Sequence, residues 1–323
     1  MRFHPRRIAL ASAFLLVMAP ACSSGDGSKS ADPSAATSTA PPTTHAATRG
    51  VVLEEAGAQP RIALELRLAP GARSQVAMES RIAIEMTVDG KAVPAGVLPA
   101  TSIVLDEVVD AVDPDGTVHY TATFRDVRAL DTPGVDPEVL TQTQAGLAEM
   151  EGLAGKGTFD VHGGSQTITI DSSALTNGAL KSTLDSMASQ VGNLTAPFPR
   201  EPVGVGARWT TTATATINGI TMNTTTHYTL SSRTGDRYEL DYVQEATAPP
   251  GPAPFPNLPA GTRAAVKEFT VHSTGHTTGD LTRHLPSSSR GSGTGDGTFT
   301  ITVGADGADL VEHMTIDLRL STP

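Results

Sequence analysis

The sequence has few of the residues that build helical bundles or disulfide-rich domains. Its 323 residues include one cysteine and one tryptophan, with 4% aromatic and 18% charged residues. A single cysteine excludes an intrachain disulfide, so stability must come from burial and strand pairing. Because glycine and threonine are plentiful, the composition favours extended, turn-rich structure, and we expect a mainly β protein.

Positive charge is also scarce. The formal net charge is −11 at pH 7, from 23 basic and 34 acidic residues. Nucleic acids and anionic lipid surfaces reward clustered lysine and arginine, so neither is expected as the main partner. The acidity is typical of a soluble extracytoplasmic protein.

The longest apolar run, residues 8–19, is too short to span a bilayer as a helix and follows Arg2, Arg6 and Arg7. This pattern predicts a cleaved export signal over residues 1–21. Losing these three arginines with the signal would take the formal charge from −11 to −14.

The only cysteine, Cys22, directly follows the predicted signal. The segment resembles a bacterial lipoprotein signal, which implies a lipid-modified Cys22 and a stable anchor on the extracytoplasmic face of the cell membrane. Ala19 and Pro20 depart from the usual lipoprotein pattern, and Ala19-Pro20-Ala21 also fits ordinary signal peptidase, so both cleavage routes stay open. The next residues, up to 49, are mostly Ser, Thr, Ala, Pro and Gly, which predicts a disordered tether over residues 22–49.

The remaining chain, residues 50–323, alternates apolar and polar residues in many short stretches. Strands are predicted near residues 62–68, 74–88, 103–109, 118–124, 207–217, 220–232, 238–245, 263–275, 278–285, 296–303 and 309–320. Asn218-Gly219 is typical of a two-residue hairpin turn. A Pro-rich loop is predicted over residues 248–259, and a mobile loop over Gly291–Gly297.

Two helices are predicted within this β pattern. The first begins near Asp136 as N-cap, with Pro137 at the first helical position, and ends at glycines 152, 155 and 157. The second covers residues 173–194 and has apolar residues at helical spacing, so it is expected to cover a sheet.

Three short echoes in the same order indicate an internal repeat. They pair Gly71-Ala72-Arg73 with Gly206-Ala207-Arg208, Tyr120-x3-Phe124 with Tyr238-x3-Tyr242, and Gly157-Thr158-Phe159 with Gly297-Thr298-Phe299. The fold class expected is mainly β (α+β), with two halves of about 50–172 and 195–323 joined by helix 173–194. Each half would supply a curved antiparallel sheet, and the two sheets would form a sandwich or an open barrel with one or two covering helices.

The stretch Pro199-Arg200-Glu201-Pro202-Val203-Gly204-Val205-Gly206-Ala207-Arg208-Trp209 resembles an uncharacterised family of bacterial, often actinobacterial, lipoproteins with a Pro-x-x-Pro-Val-x-x-Gly-x-x-Trp motif. The resemblance implies an extracytoplasmic β-rich domain and brings no catalytic residues. Four aromatic residues could line a ligand groove, namely Trp209, Tyr228, Tyr238 and Tyr242, and Trp209 is the candidate ligand-binding residue among them. Buried sheet core is the commoner role for aromatic residues at alternating strand positions.

The sequence contains no complete motif for catalysis, metal binding or a cofactor. Gly152–Thr158 lacks the Ser or Thr that follows the lysine of a phosphate loop, and Asp113-x-Asp115-Gly116 lacks the rest of a calcium loop. His272 and His276 would lie roughly 13 Å apart on a strand, too far for one ion. No catalytic, metal or cofactor residues are therefore predicted.

The function expected is non-enzymatic binding of an apolar or envelope-derived ligand by a lipid-anchored protein. Two alternatives remain, an envelope scaffold that binds another protein through strand edges or the Pro-rich loop, and an enzyme of unrecognised type.

Overall fold

The computed structural model describes residues 44–47, 50–93, 96–164, 166–170, 195–217, 220–253, 258, 261–304 and 306–323. Most of these residues lie in strands of one large antiparallel sheet, and they contain one helix. The mainly β prediction is therefore confirmed. The signal segment with Cys22, most of the tether and the predicted helix 173–194 lie outside the described residues.

Eight strands precede the Pro199–Trp209 stretch. They are β1 (Thr44–Ala47), β2 (Gly50–Glu55), β3 (Arg73–Val88), β4 (Lys91–Val93), β5 (Ala100–Val112), β6 (Val118–Leu130), β7 (Ala154–Phe159) and β8 (Gln166–Ile170). β1 falls within the predicted tether and pairs with β8, so strand structure reaches back to Thr44.

The other seven described strands begin at Arg208 or later. They are β9 (Arg208–Ile217), β10 (Ile220–Thr234), β11 (Arg237–Ala248), β12 (Gly251–Pro252), β13 (Thr262–Asp280), β14 (Ser288–Val303) and β15 (Asp306–Ser321). β9 and β10 pair up to Ile217 and Ile220, which confirms the predicted tight hairpin. β13 is one continuous strand where the sequence predicts a break near residue 276.

The strands of both halves belong to a single 15-stranded sheet, where the sequence predicts two. Its order is β1-β8-β7-β6-β5-β3-β15-β14-β13-β11-β10-β9-β2, with β4 and β12 paired beside this path. The halves join where the last strand, β15, pairs with β3 from Leu310↔Val88 to Ser321↔Ala77. Sequence periodicity identifies strands but not long-range partners, so this junction was not predicted.

The two ends of the strand order lie close together in space. β1 and β2 are separated by two residues, yet β1 pairs at one end of the order and β2 at the other. Cα atoms of β1 and β9 also come within 8 Å of each other. The sheet is therefore strongly curved, although no ladder joins its ends in the described ranges.

Both halves begin their first long strand with the same local geometry. Gly71 and Gly206 have φ angles of 83° and 84°, a conformation that glycine adopts readily. Gly71 N–H donates to Val109 O, and Gly206 N–H donates to Leu230 O. This supports the first sequence echo and makes Val109 the positional counterpart of Leu230.

The structure supports the second sequence echo and contradicts the third. Tyr120 and Tyr238 each lie on the third strand of a meander and face a glycine on the next strand, Gly157 and Gly279. A Cβ built on either glycine would lie within 2.5 Å of the tyrosine ring. The counterpart of Gly157 is thus Gly279, and the predicted match with Gly297, one strand further on, is wrong.

The single described helix, α1, covers Pro137–Ala148 and confirms the predicted start. The carboxylate of Asp136 accepts a hydrogen bond from the Glu138 N–H at 2.8 Å. Pro137, at the first helical position, has no N–H that would need an acceptor. Leu147 and Met150 pack into the first core described below.

The predicted strand over residues 62–68 is not a strand. Ile62 makes one bridge with Val203, and Leu66 and Arg67 donate backbone hydrogen bonds to Val161 and Leu281. Leu64 and Leu66 are nonetheless buried. The alternation therefore reflects an extended segment that packs across one end of the sheet without joining a ladder.

The predicted mobile loop Gly291–Gly297 lies within β14 and pairs along its length with β13 and β15. Glycine gives no apolar periodicity, so the sequence pattern predicts only the second half of this strand, residues 296–303. Its four glycines, at positions 291, 293, 295 and 297, all face the inside of the sheet.

Two cores lie on this inner face, one toward each end of the strands. The first core combines residues of both halves, including Leu64, Tyr120, Phe159, Trp209 and Leu240. The second core contains Met86, Met222, Phe269, Phe299, Leu310 and Met314. One curved sheet thus carries both cores on its inner face.

Candidate functional site

The inner face is less buried between the two cores than at either core. On β15, Leu310, Met314 and Leu320 are buried, whereas Ile316 and Leu318 between them are only partly buried. A densely packed interior would bury the middle of a strand at least as well as its ends. Ile316 and Leu318 are therefore less covered than the inward-facing residues at either end of the strand.

Partial burial recurs on the neighbouring strands at the same level, although Ile82 and Thr226 there are buried. We call this belt of inward-facing, partly exposed residues the waist. Its members are Met78 and Ser80 on β3, Thr224 and Tyr228 on β10, Tyr242, Gln244 and Ala246 on β11, Val271, Ser273, Gly275 and Thr277 on β13, Gly291 and Gly293 on β14, and Ile316 and Leu318 on β15.

Tyr242 forms part of the waist wall because the neighbouring strands offer it glycine surfaces. A Cβ on Gly275 or Gly291 would lie within 2.4 Å of the Tyr242 side chain, so any larger residue there would displace it. Burial raises the pKa of Tyr242, which keeps the phenol neutral at physiological pH. The ring therefore presents an apolar surface with one polar end.

Trp209, the predicted ligand-binding candidate, is fully buried next to the waist. Its indole stacks on Tyr228 with ring centroids 5.6 Å apart and an angle of 18° between the planes. The indole Nε1–H donates to the Pro197 carbonyl at 2.9 Å. Trp209 thus supports Tyr228 from within the first core, and Tyr228 is the ring that reaches the waist.

A polar cluster lies buried in the first core. His284, from the connection between β13 and β14, places Nδ1 2.6 Å from Glu107 Oε2 on β5. Ser74 Oγ donates to Glu107 Oε1 at 3.2 Å. Glu107 and His284 are 2% and 3% exposed, so solvent does not screen their interaction.

Two aromatic rings enclose His284. Phe159 stacks on it with centroids 3.7 Å apart, and the Tyr120 ring lies 5.4 Å away. Burial, and to a lesser extent the charge of Glu107, raises the pKa of Tyr120. Tyr120 Oη and His284 Nε2 have no hydrogen-bond partner within the described part of the chain.

The cluster has the residue types of an acid–base site but not its geometry. A histidine that activates a serine must contact the hydroxyl, whereas Ser74 contacts Glu107 and not His284. All three side chains are buried, so a substrate could not reach them in this conformation. The arrangement fixes the β13–β14 connection to β5.

The repeat relates the polar pair Ser74 and Glu107 to the stacked pair Trp209 and Tyr228. Ser74 follows Arg73 as Trp209 follows Arg208, and Ser74 and Trp209 pair with Glu107 and Tyr228 in register. The two halves therefore place a polar pair and an aromatic pair at corresponding positions. The two halves thus differ at this position, and His284 contacts Glu107 of the polar pair.

Glu312 is a second buried acidic residue, on the inner face of β15 between Leu310 and Met314. It is 1% exposed, and neither carboxylate oxygen has a partner in the described ranges. Burial raises its pKa to about 7, so the carboxyl is largely protonated below neutral pH. Burying a carboxyl group without a hydrogen-bond partner is unfavourable in free energy, and no described contact of Glu312 offsets this.

The two histidines considered as metal ligands lie on the surface. His272 and His276 are exposed and approach Glu245 and Asp241 at 3.8 and 2.8 Å. In the described ranges, no three His, Cys, Asp or Glu side chains are placed to share a metal ion. The one described helix, α1, is not long and apolar enough to cross a bilayer.

The sequence carries a signal for the two buried acids. Glu107 is in phase with Leu105 and Val109, and Glu312 with Leu310 and Met314. A charged residue in phase with the apolar face of a strand is an exception that marks a buried polar group. His284 gave no such signal, because its partner lies 177 residues away.

Comparison with known proteins adds a family but no activity. Residues 166–282 match a family of unknown function, DUF6263. The matched range contains Pro199–Trp209 and extends through β13. No curated protein matches the chain. The part of the chain from β8 to the end of β13 is thus similar to proteins of the DUF6263 family.

Proposed function

We propose that the protein is a lipid-anchored, extracytoplasmic binding protein that holds an apolar ligand on the inner face of its curved sheet. The sheet would act as an open barrel, with the waist as the binding site. One observation carries the proposal, the waist of partly exposed inward residues between two buried cores. Such a belt is expected where a ligand covers the middle of an otherwise packed interior.

The chemistry of the waist fits an apolar ligand. Met78, Val271, Ile316 and Leu318 supply aliphatic surface. Polar groups are few, and Gln244 already donates to Thr226 at 3.2 Å. Ligand sites are commonly lined in this way, by apolar side chains with a small number of polar groups that fix orientation.

The proposal predicts that a bulky residue in the waist will block binding. Ala246 faces inward on β11, so Ala246→Phe should reduce the affinity for diphenylhexatriene, a probe without hydrogen-bonding groups, by about 10-fold or more. Fluorescence titration measures this affinity. The chain carrying Cys22→Ala is used throughout, since it has no acyl group and can be handled without detergent.

Val243→Phe is the matched control, because Val243 lies on the same strand but faces outward and is 56% exposed. It should leave probe affinity unchanged. Circular dichroism of both variants checks that the sheet is intact. Equal affinities for the two folded variants, or no probe binding by the parent chain, would count against the inner-face site.

The anchor part of the proposal rests on Cys22 and its place after an export signal. Cys22→Ala should abolish fatty-acid labelling and move the protein from the membrane fraction to the soluble fraction. Ser23→Ala, one residue further on, should change neither. Membrane retention of the Cys22→Ala protein would refute lipid attachment at this residue and leave the inner-face site untouched.

A further inference from the structure

We propose that Glu312 is the polar anchor of the inner-face site and binds a hydrogen-bond-donating head group, a hydroxyl or an amine, of an amphiphilic ligand. This rests on the proposed function and adds the chemical class of the ligand. The waist gives the place for the apolar part of such a molecule, and Glu312 gives the place for its head group.

Glu312 lacks the hydrogen-bond partner that a buried carboxyl group needs, among the residues that the structure describes. Glu312 is registered between Met86 on β3 and Gly297 on β14. Both carboxyl oxygens are buried and unpartnered within the described ranges. Burying such a group without a hydrogen bond is unfavourable, and a donor from a ligand would remove that cost.

Among the described residues, no other acidic or basic side chain faces inward around Glu312. The side chains around Glu312 from its own and adjacent strands are apolar, namely Leu310, Met314, Ile84, Val88 and Phe299. The nearby charged residues Glu85, Asp296 and His313 occupy outward positions, where His313 and Asp296 pair with each other. A donor arriving from the waist would thus meet Glu312 as the acidic acceptor of the second core.

The inner face of β15 gives a ligand chain a path from the waist to Glu312. Ile316, in the waist, lies four residues from Glu312 on β15, roughly 13 Å along the strand. Met314 lies between them and leans over Gly295, where a Cβ would come within 2.7 Å of its Cγ. Methionine is unbranched and adapts to its surroundings, so it can move aside for a ligand chain.

The test compares ligands that share a twelve-carbon chain and differ only in the head group. Dodecanol and dodecylamine carry donors, and dodecyl methyl ether does not. Each displaces diphenylhexatriene from the Cys22→Ala chain. At least one donor ligand should bind about 10-fold more tightly than the ether, the ratio expected for one hydrogen bond to a buried acceptor.

Two variants separate the head-group contact from a general effect on the interior. Glu312→Met should keep probe affinity and remove the preference for donor ligands. Glu312→Gln should keep a preference for the alcohol and lose one for the amine, because an amide can bond a hydroxyl but cannot neutralise an ammonium. Raising the pH from 6 to 8 should strengthen amine binding only in the protein that retains Glu312, as its carboxyl ionises.

The possible failures are distinguishable. If the probe binds but donor and ether ligands bind equally, or if Glu312→Met keeps the donor preference, the role of Glu312 is refuted and the apolar site stands. If neither probe nor ligand binds, the proposed function fails as well.

Discussion

Replacing His284 by leucine should lower the free energy of unfolding by about 3–5 kcal/mol, the usual effect of removing one partner of a buried, hydrogen-bonded acid–base pair. The variant leaves the Glu107 carboxylate buried with only Ser74 as a hydrogen-bond donor among the contacts described. It also releases the β13–β14 connection from β5. Urea unfolding at pH 7, followed by circular dichroism, measures the change.

The double variant Glu107→Leu/His284→Leu should lose less stability than His284→Leu alone, because it leaves no charge without a partner. Glu107→Gln, which keeps an acceptor for His284 Nδ1, is the conservative control and should also cost less. A loss below about 1 kcal/mol for His284→Leu would show that the pair does not hold the connection in place.

Replacing Trp209 by alanine should cost about 3–5 kcal/mol, as expected for truncating a large, fully buried aromatic residue. The cavity would open between Tyr228 and the segment near Pro197, two contacts that belong to different parts of the chain. Chemical denaturation followed by circular dichroism gives the loss for this variant. Because Trp209 is the only tryptophan, intrinsic fluorescence follows the same transition in the parent protein.

Trp209→Phe provides the graded control. It preserves an aromatic ring against Tyr228 and loses the hydrogen bond to Pro197, so it should cost about 1–2 kcal/mol. An alanine variant that unfolds at the same denaturant concentration as the parent would contradict the role of Trp209 in the first core. Loss of probe binding without loss of stability would instead indicate that the tryptophan contacts the ligand directly.

Local features of the fold were predictable from local sequence. The alternation in β3 and β15, the cap at Asp136 and the tight connection between β9 and β10 each depend on a few neighbouring residues, and the structure contains all of them. Physical preferences of the backbone act over the same short range. Such elements can therefore be recognised without knowledge of the rest of the chain.

Features that depend on distant partners were not predictable. β14 is a strand because β13 and β15 pair with it on both sides, although its glycines carry no pattern of their own. The segment 62–68 shows the converse, since a clean alternation there leads to buried side chains without a ladder. The pairing of His284 with Glu107 and the waist itself arise only when the sheet curves.

The junction between β3 and β15 also constrains the order in which the chain can fold. Hairpins such as β10–β11 and β14–β15 join neighbouring segments and can form early, whereas β3 pairs with residues roughly 220–240 positions further along the chain. The first long strand must therefore wait for the last one. Because synthesis starts at the N-terminus, the sheet can be completed only after β15 has emerged, and until then the facing edge of β3 lacks its partner.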